Sequence, residues 1–130
     1  MSRILEGLKY TKQHEWLKIE NQIAIVGITD FAQHSLGDIV FLDLKNVGEK
    51  ITAEESIGTI ESVKAAEDIY SPVSGIILER NENVLKSPEL LNKDPYENWI
   101  LKIKDYDEKE ISKLMDATQY KEYLQSLEQE

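Results

Sequence analysis

Gly58-Thr59-Ile60-Glu61-Ser62-Val63-Lys64-Ala65-Ala66-Glu67-Asp68-Ile69-Tyr70-Ser71-Pro72-Val73-Ser74-Gly75 reads as a β-hairpin with one lysine at its tip. Two strand-like segments, Thr59 to Val63 and Asp68 to Val73, are each bounded by glycine or proline, and Val63-Lys64-Ala65-Ala66 lies between them. Glu61, Glu67 and Asp68 surround the lysine with carboxylates. A hairpin tip is exposed yet held by rigid strands, so an amine there can be gripped by a modifying enzyme and then offered to several partners. Position alone does not distinguish it. The chain has thirteen lysines, and most lysines are simply solvated surface charges.

Outward from the hairpin the pattern of short strands continues. Upstream, Glu15-Trp16-Leu17-Lys18-Ile19 alternates, Glu20-Asn21 turns, and Gln22-Ile23-Ala24-Ile25-Val26-Gly27 returns. Thr29-Asp30 offers capping side chains to a short helix, Phe31 to Leu36, which Gly37 stops. Asp38 to Leu44 is a β-branched, apolar strand, and residues 45–55 read as a loop. Downstream, Gly75 to Asn81 is a strand ending in an Asn turn. Ser87-Pro88-Glu89-Leu90-Leu91 has a Ser cap and a proline at the first position of a one-turn helix. Asn92 to Pro95 is loop, and Trp99 to Ile103 is a closing strand.

The C-terminal quarter changes period. Asp107 and Glu110 have capping-box spacing ahead of Ile111, Leu114 and Met115. Tyr120, Tyr123, Leu124 and Leu127 follow at the spacing of an amphipathic helix, so the tyrosines are assigned to packing. The 130 residues suffice for one core. The expected architecture is a mainly β domain, sandwich or barrel-like, over about residues 10–104, with short helices and a C-terminal helical extension over about 107–128.

Composition narrows the function. A formal net charge of −10 repels nucleic acid phosphates and anionic lipid, so neither is an expected partner. Basic protein surfaces are the natural counterparts. Residues 105–130 carry eight Asp or Glu against three Lys, net −5, and read as a solvated helical face. No apolar run approaches a membrane span, and the N-terminus lacks a signal-peptide pattern, so a cytoplasmic location is expected. The absence of cysteine excludes disulfides, zinc thiolates, iron–sulfur clusters and cysteine nucleophiles. His14 and His34 lack ligand spacing and read as structural or surface histidines, so no metal site is expected. No dinucleotide fingerprint, P-loop, Gly-x-Ser-x-Gly elbow or His-Glu-x-x-His helix is present. The reading is a carrier and not an enzyme: a prosthetic group does the chemistry and the protein places it.

Several collinear motifs then carry a resemblance. Glu61-Ser62-Val63-Lys64-Ala65, with Ile69-Tyr70-Ser71-Pro72-Val73-Ser74-Gly75, is similar to the lipoyl-lysine hairpin of the H proteins of the glycine cleavage system. Tyr10-Thr11-x-x-His14-Glu15-Trp16 resembles that family's N-terminal motif, and Gly27-Ile28-Thr29-Asp30-x-Ala32-Gln33-x-x-Leu36-Gly37-Asp38-Ile39-Val40-Phe41 its strand–helix–strand segment. Ser87-Pro88-Glu89-Leu90-Leu91-Asn92-x-x-Pro95-Tyr96, Trp99, and Leu114-Met115-Asp116-Ala117-x-x-Tyr120 continue the match in order. Lys45 departs from it, standing where the family usually has proline; the Pro95 to Trp99 loop lacks a common glycine, and His34-Ser35 also differs.

The resemblance implies a lipoyl/biotinyl-type barrel-sandwich hybrid in which Lys64 is joined through its Nζ to lipoic acid. It implies a monomeric, non-catalytic lipoyl carrier loaded by a lipoylating enzyme. The carrier would move the aminomethyl group of glycine from the pyridoxal-phosphate glycine decarboxylase to the tetrahydrofolate-dependent aminomethyltransferase, and then electrons to dihydrolipoyl dehydrogenase. It implies that Glu61, Ser62 and Val63 are read by the lipoylating enzyme, and that Glu15 and Asp68 meet the loaded arm, where a carboxylate would stabilise a protonated nitrogen. Plain alternatives stand beside these roles: surface carboxylates for Glu15 and Asp68, ordinary strand positions for Glu61 and Val63. Other functions to weigh are a lipoate-bearing paralogue in lipoyl relay or sulfur oxidation, a biotin carrier, and an acidic interaction module with Lys64 unmodified. Val63-Lys64-Ala65 in place of Met-Lys-Met argues against biotin.

Overall fold

Alternating and β-branched runs become strands wherever an apolar face finds cover. The computed structural model describes residues 2–128. Its strands are β1 (Lys9–Tyr10), β2 (Glu15–Glu20), β3 (Ile23–Ile28), β4 (Ile39–Leu44), β5 (Lys50–Ile51), β6 (Ser56–Ser62), β7 (Ala66–Tyr70), β8 (Gly75–Arg80) and β9 (Leu101–Lys104). The helices are α1 (Asp30–Leu36), α2 (Glu82–Lys86), α3 (Leu90–Lys93), α4 (Glu108–Ile111) and α5 (Ala117–Glu128). One antiparallel sheet has the order β1-β2-β3-β9-β8-β5 and the other β4-β6-β7. No described helix is long and apolar enough to cross a membrane.

The two sheets share one core. Leu17, Val26, Ile77 and Ile103 from the larger sheet meet Leu42, Ile60 and Ile69 from the smaller. Each such side chain contributes roughly 1.5–3 kcal/mol by leaving water. A second cluster forms on the outer side of β1–β3, where α5 lays Tyr120 and Leu124 against Tyr10, Trp16 and Ile25. Tyr10 and Tyr120 stack with centroids 4.5 Å apart, so the tyrosine stripe is packing, as its spacing predicts. This double cover explains why Glu15, Trp16 and Leu17 are all buried, although alternation alone would wet one face.

Four local expectations change. Asn81, read as a turn, caps the unexpected helix α2 through its side chain, which accepts from Asn83 N at 3.2 Å. Ser87 is not an N-cap: its N–H donates to Asn83 O at 2.9 Å, closing α2, and α3 begins only at Leu90. The Asp107–Glu110 capping box does not form. Asp107 Oδ1 accepts from Lys109 N at 3.0 Å, but Glu110 turns away and accepts from Ser74 N at 2.7 Å and Ser74 Oγ at 2.8 Å. Within the expected 45–55 loop, β5 pairs with β8. Lys45 uses a donor that proline would lack, its N–H reaching Ile57 O at 2.9 Å, while its Nζ pairs with Glu55 at 3.0 Å.

Candidate functional site

The β6–β7 hairpin sets Glu61 opposite Ala66 and Thr59 opposite Asp68. Its turn is braced by one side chain. Ser62 N donates to Ala65 O at 2.8 Å, and Ser62 Oγ accepts from Lys64 N at 3.2 Å and Ala65 N at 3.1 Å. Val63 N donates to Asp38 O at 3.0 Å, fastening the turn to the start of β4. Between these anchors Lys64 is exposed, and its Nζ has neither an ion pair nor a hydrogen bond among the described residues. The lysine passes the end of α1, its Cε lying 3.5 Å from where a Cβ on Gly37 would stand. Gly37 closes α1 with φ 76, a conformation suited to glycine. Of the predicted recognition residues, Glu61 and Val63 face solvent, whereas Ser62 is engaged in holding the turn.

A cleft of about 410 Å³ opens further along β7, lined among others by Thr11, Glu15, Glu54, Tyr70, Glu110 and Met115. Glu15 lines it as a buried residue, with 3% of its surface exposed. Its Oε1 accepts from Thr11 Oγ1 at 2.5 Å and its Oε2 from Tyr70 N at 3.2 Å. Burial pushes its pKa up to about 7, against the opposing pull of those two hydrogen bonds. The surface-carboxylate alternative for Glu15 is therefore overturned: the strand carrying it is covered on both faces.

Asp68 lies elsewhere. It is exposed on β7, with Thr59 Oγ1 3.4 Å from its Oδ1, and it does not line the cleft. It does share the outward row Ala66–Asp68–Tyr70, which runs from the lysine turn to the cleft, because alternate residues of a strand share a face. The whole row spans only about 13 Å at the usual strand rise.

His14 precedes Glu15 with φ 72 and is a satisfied structural histidine. Its Nδ1 lies 2.9 Å from Tyr120 Oη, which is also 2.8 Å from Thr29 Oγ1. Burial lowers the His14 pKa to about 4 and raises that of Tyr120. Sequence reasoning did not identify Tyr70, Glu54 or Glu110 as cleft residues. For Glu110 the apparent capping spacing concealed its partner; Glu54, with φ 72 in a turn, offers no periodic signal.

Comparison with known proteins points one way. The family model described as glycine cleavage H-protein matches residues 8–127. The glycine cleavage system H protein of Leptospira biflexa is 50% identical over 123 residues, covering 95% of this chain and 95% of that protein. The one from Carboxydothermus hydrogenoformans is 49% identical over 126 residues, covering 96% and 97%. Among solved structures, a glycine cleavage system H protein from Mycobacterium marinum superposes with a TM-score of 0.82 at 34% identity, covering 90% of this chain and 95% of that one.

Proposed function

The chain belongs to the glycine cleavage H-protein family, carriers and not catalysts of that system, and on that premise we propose that Lys64 is its lipoylated residue. The observation that carries this reading is the presentation of Lys64: an exposed amine free of partners among the described residues, on a turn braced by Ser62 and tied to β4. A lysine held in an ion pair would have to break it before reacting; this one does not. When bound, a lipoyl group supplies a dithiolane that accepts the aminomethyl group and later gives up electrons. The chain's own residues supply attachment, a path and a shelter.

Attachment falls to Lys64. The path is the outward row of β7, where Asp68 places a carboxylate between the turn and the cleft. Glu15 shelters cargo. Its carboxyl, held near neutrality by burial, would ionise when a cationic amine enters beside it, trading desolvation for a charge-assisted hydrogen bond. Tyr70 N and Thr11 Oγ1 keep that carboxyl oriented. The partners on this reading are glycine decarboxylase, aminomethyltransferase, dihydrolipoyl dehydrogenase and the lipoylating enzyme. An acidic carrier meets such enzymes through basic surfaces.

Intact mass of protein from its own cells tests the assignment. The chain should be heavier than its sequence by one lipoyl group, and Lys64→Arg should fold normally, lack the increment and support no glycine cleavage with the partner enzymes. Native protein at its bare sequence mass during glycine breakdown would refute it.

A further inference from the structure

The pairing of β4 with β6 slips between Ile39 and Phe41, so Val40 is the extra residue of a bulge. A bulge can turn two successive side chains to one side. Here Val40 and Phe41 are 57% and 52% exposed, while Ile39 and Leu42 on either side are buried. Val63, 70% exposed, lies beside them through its bond to Asp38 O. Of six large hydrophobic side chains exposed among the described residues, three therefore gather at the lysine end of one sheet face. About half of the Phe41 side chain stays in contact with water, apolar area that packing within the chain leaves uncovered. Acids rim the patch. Phe41 stands opposite Glu61, and the next outward row is Asp43–Thr59–Asp68. An apolar patch with a charged rim marks an interaction surface.

We infer that this face docks the enzyme that acylates Lys64, Phe41 entering an apolar pocket bordered by Lys or Arg. The inference rests on Lys64 being the acylated residue. Acylation requires Nζ itself to enter the active site, because the amide forms between Nζ and the acyl carbon as the amine loses a proton and an acyl-adenylate donor loses its nucleotide. The stiff hairpin then brings the adjacent face close to the enzyme that holds Nζ. Enzymes that meet the finished arm reach it through a longer tether and have no such obligation. The acidic rim selects a basic border on the partner.

The test uses the full-length unmodified chain, a purified lipoate ligase and lipoyl-adenylate, with acylation followed by intact mass and binding by calorimetry. Phe41→Ser and Val40→Thr are each expected to raise KM for the carrier, and the Kd for the ligase, about tenfold, with kcat within about twofold. Leu78→Ser, an exposed apolar position on the other sheet, should change neither. Val40→Thr is close to isosteric, so it keeps the question open should Phe41→Ser lower Tm. Wild-type KM and Kd in both variants would overturn the docking surface, as would a carrier dimer that Phe41→Ser disrupts while acylation is unaffected. Failure of the wild-type chain itself to be acylated at Lys64 would instead refute the lysine assignment, and the surface with it.

Discussion

Glu15 Oε2 accepts a hydrogen bond from the backbone N–H of Tyr70 at 3.2 Å, across 55 residues of sequence, and this bond between two cleft residues joins the larger sheet to the smaller. With only two donors among the described residues, this buried carboxylate is under-solvated. It therefore favours its protonated form, which makes the junction pH-sensitive.

The sign follows from the raised value. The unfolded Glu15 titrates near 4.5 and the folded one near 7, so the folded state binds the extra proton between them. Its contribution is fully present below about 4.5 and is lost as pH rises through 7, a change on the order of 3 kcal/mol. Glu15→Gln removes the titration while retaining an acceptor. Urea denaturation from pH 5 to 8 should show the variant gaining on the wild type as pH rises. A constant difference across that range would contradict the assignment.

His14 acts in the opposite sense. Its folded pKa of about 4 lies below the ordinary 6.5, so its contribution is present above 6.5 and lost as pH falls through 4. Between about 4.5 and 6.5 the two neighbours cancel: the folded state takes one proton at Glu15 and gives one up at His14. Their combined contribution to wild-type stability should be nearly flat there. Single variants should unmask slopes of opposite sign, falling with pH in His14→Asn and rising in Glu15→Gln. Asparagine suits the positive φ at this position. Parallel slopes in the two single variants would refute the pairing.

Ser62 is expected to matter for presentation more than for stability. Ser62→Ala deletes the acceptor for the Lys64 and Ala65 amides, a loss of about 1 kcal/mol confined to an exposed turn. Hydrogen exchange at those two amides should quicken and acylation of Lys64 should slow markedly, with Tm falling by only about 3–5 °C and Ser62→Thr restoring exchange and acylation. Normal exchange and acylation in the alanine variant would show that the brace is dispensable.

Salt supplies a fourth check. At physiological ionic strength charges are screened over about 8 Å, so a carrier of net −10 should meet its enzymes more slowly as salt rises. The second-order rate with purified partner enzymes should fall steadily between low and high salt. Kinetics indifferent to salt would argue against electrostatic docking.

What the chain discloses before folding depends on the range of each interaction. The hairpin around Lys64, the β2–β3 turn, the Thr29 cap and the α5 stripe all follow from neighbours within a few residues and are legible in the sequence. The turn is legible to within one residue, since it falls on Asn21 and Gln22 and not on Glu20 and Asn21. Thr29 Oγ1 indeed accepts from Ala32 N at 3.2 Å. The site is less legible because its contacts are distant. Nothing near Glu15 announces that Tyr70 will satisfy it, and burial on both faces of β2 depends on a helix more than a hundred residues away. Val40 and Phe41 are indistinguishable from their neighbours in the apolar strand Asp38 to Leu44, because a bulge leaves no mark on hydrophobicity. Short helices such as α2 are invisible for another reason: one turn is too brief for a period to show.

Glu110 is the sharpest case of a local rule yielding to a distant partner. Its carboxylate holds Ser74 by both N–H and hydroxyl, pinning α4 and the wall of the cleft to the segment between β7 and β8. Asp107, by contrast, caps α4 at an exposed position. Were the pair an ordinary capping box, Asp107→Ala would be the costlier change. The observed geometry reverses that order: Asp107→Ala should cost about 1 kcal/mol and Glu110→Ala about 2–3 kcal/mol, because the latter breaks two charge-assisted bonds and strands a half-buried amide. Thermal unfolding of the two variants ranks them directly. Faster exchange at Ser74 N in Glu110→Ala alone would place the loss at this junction, and equal Tm values for the two variants would remove Glu110 from the cleft's framework.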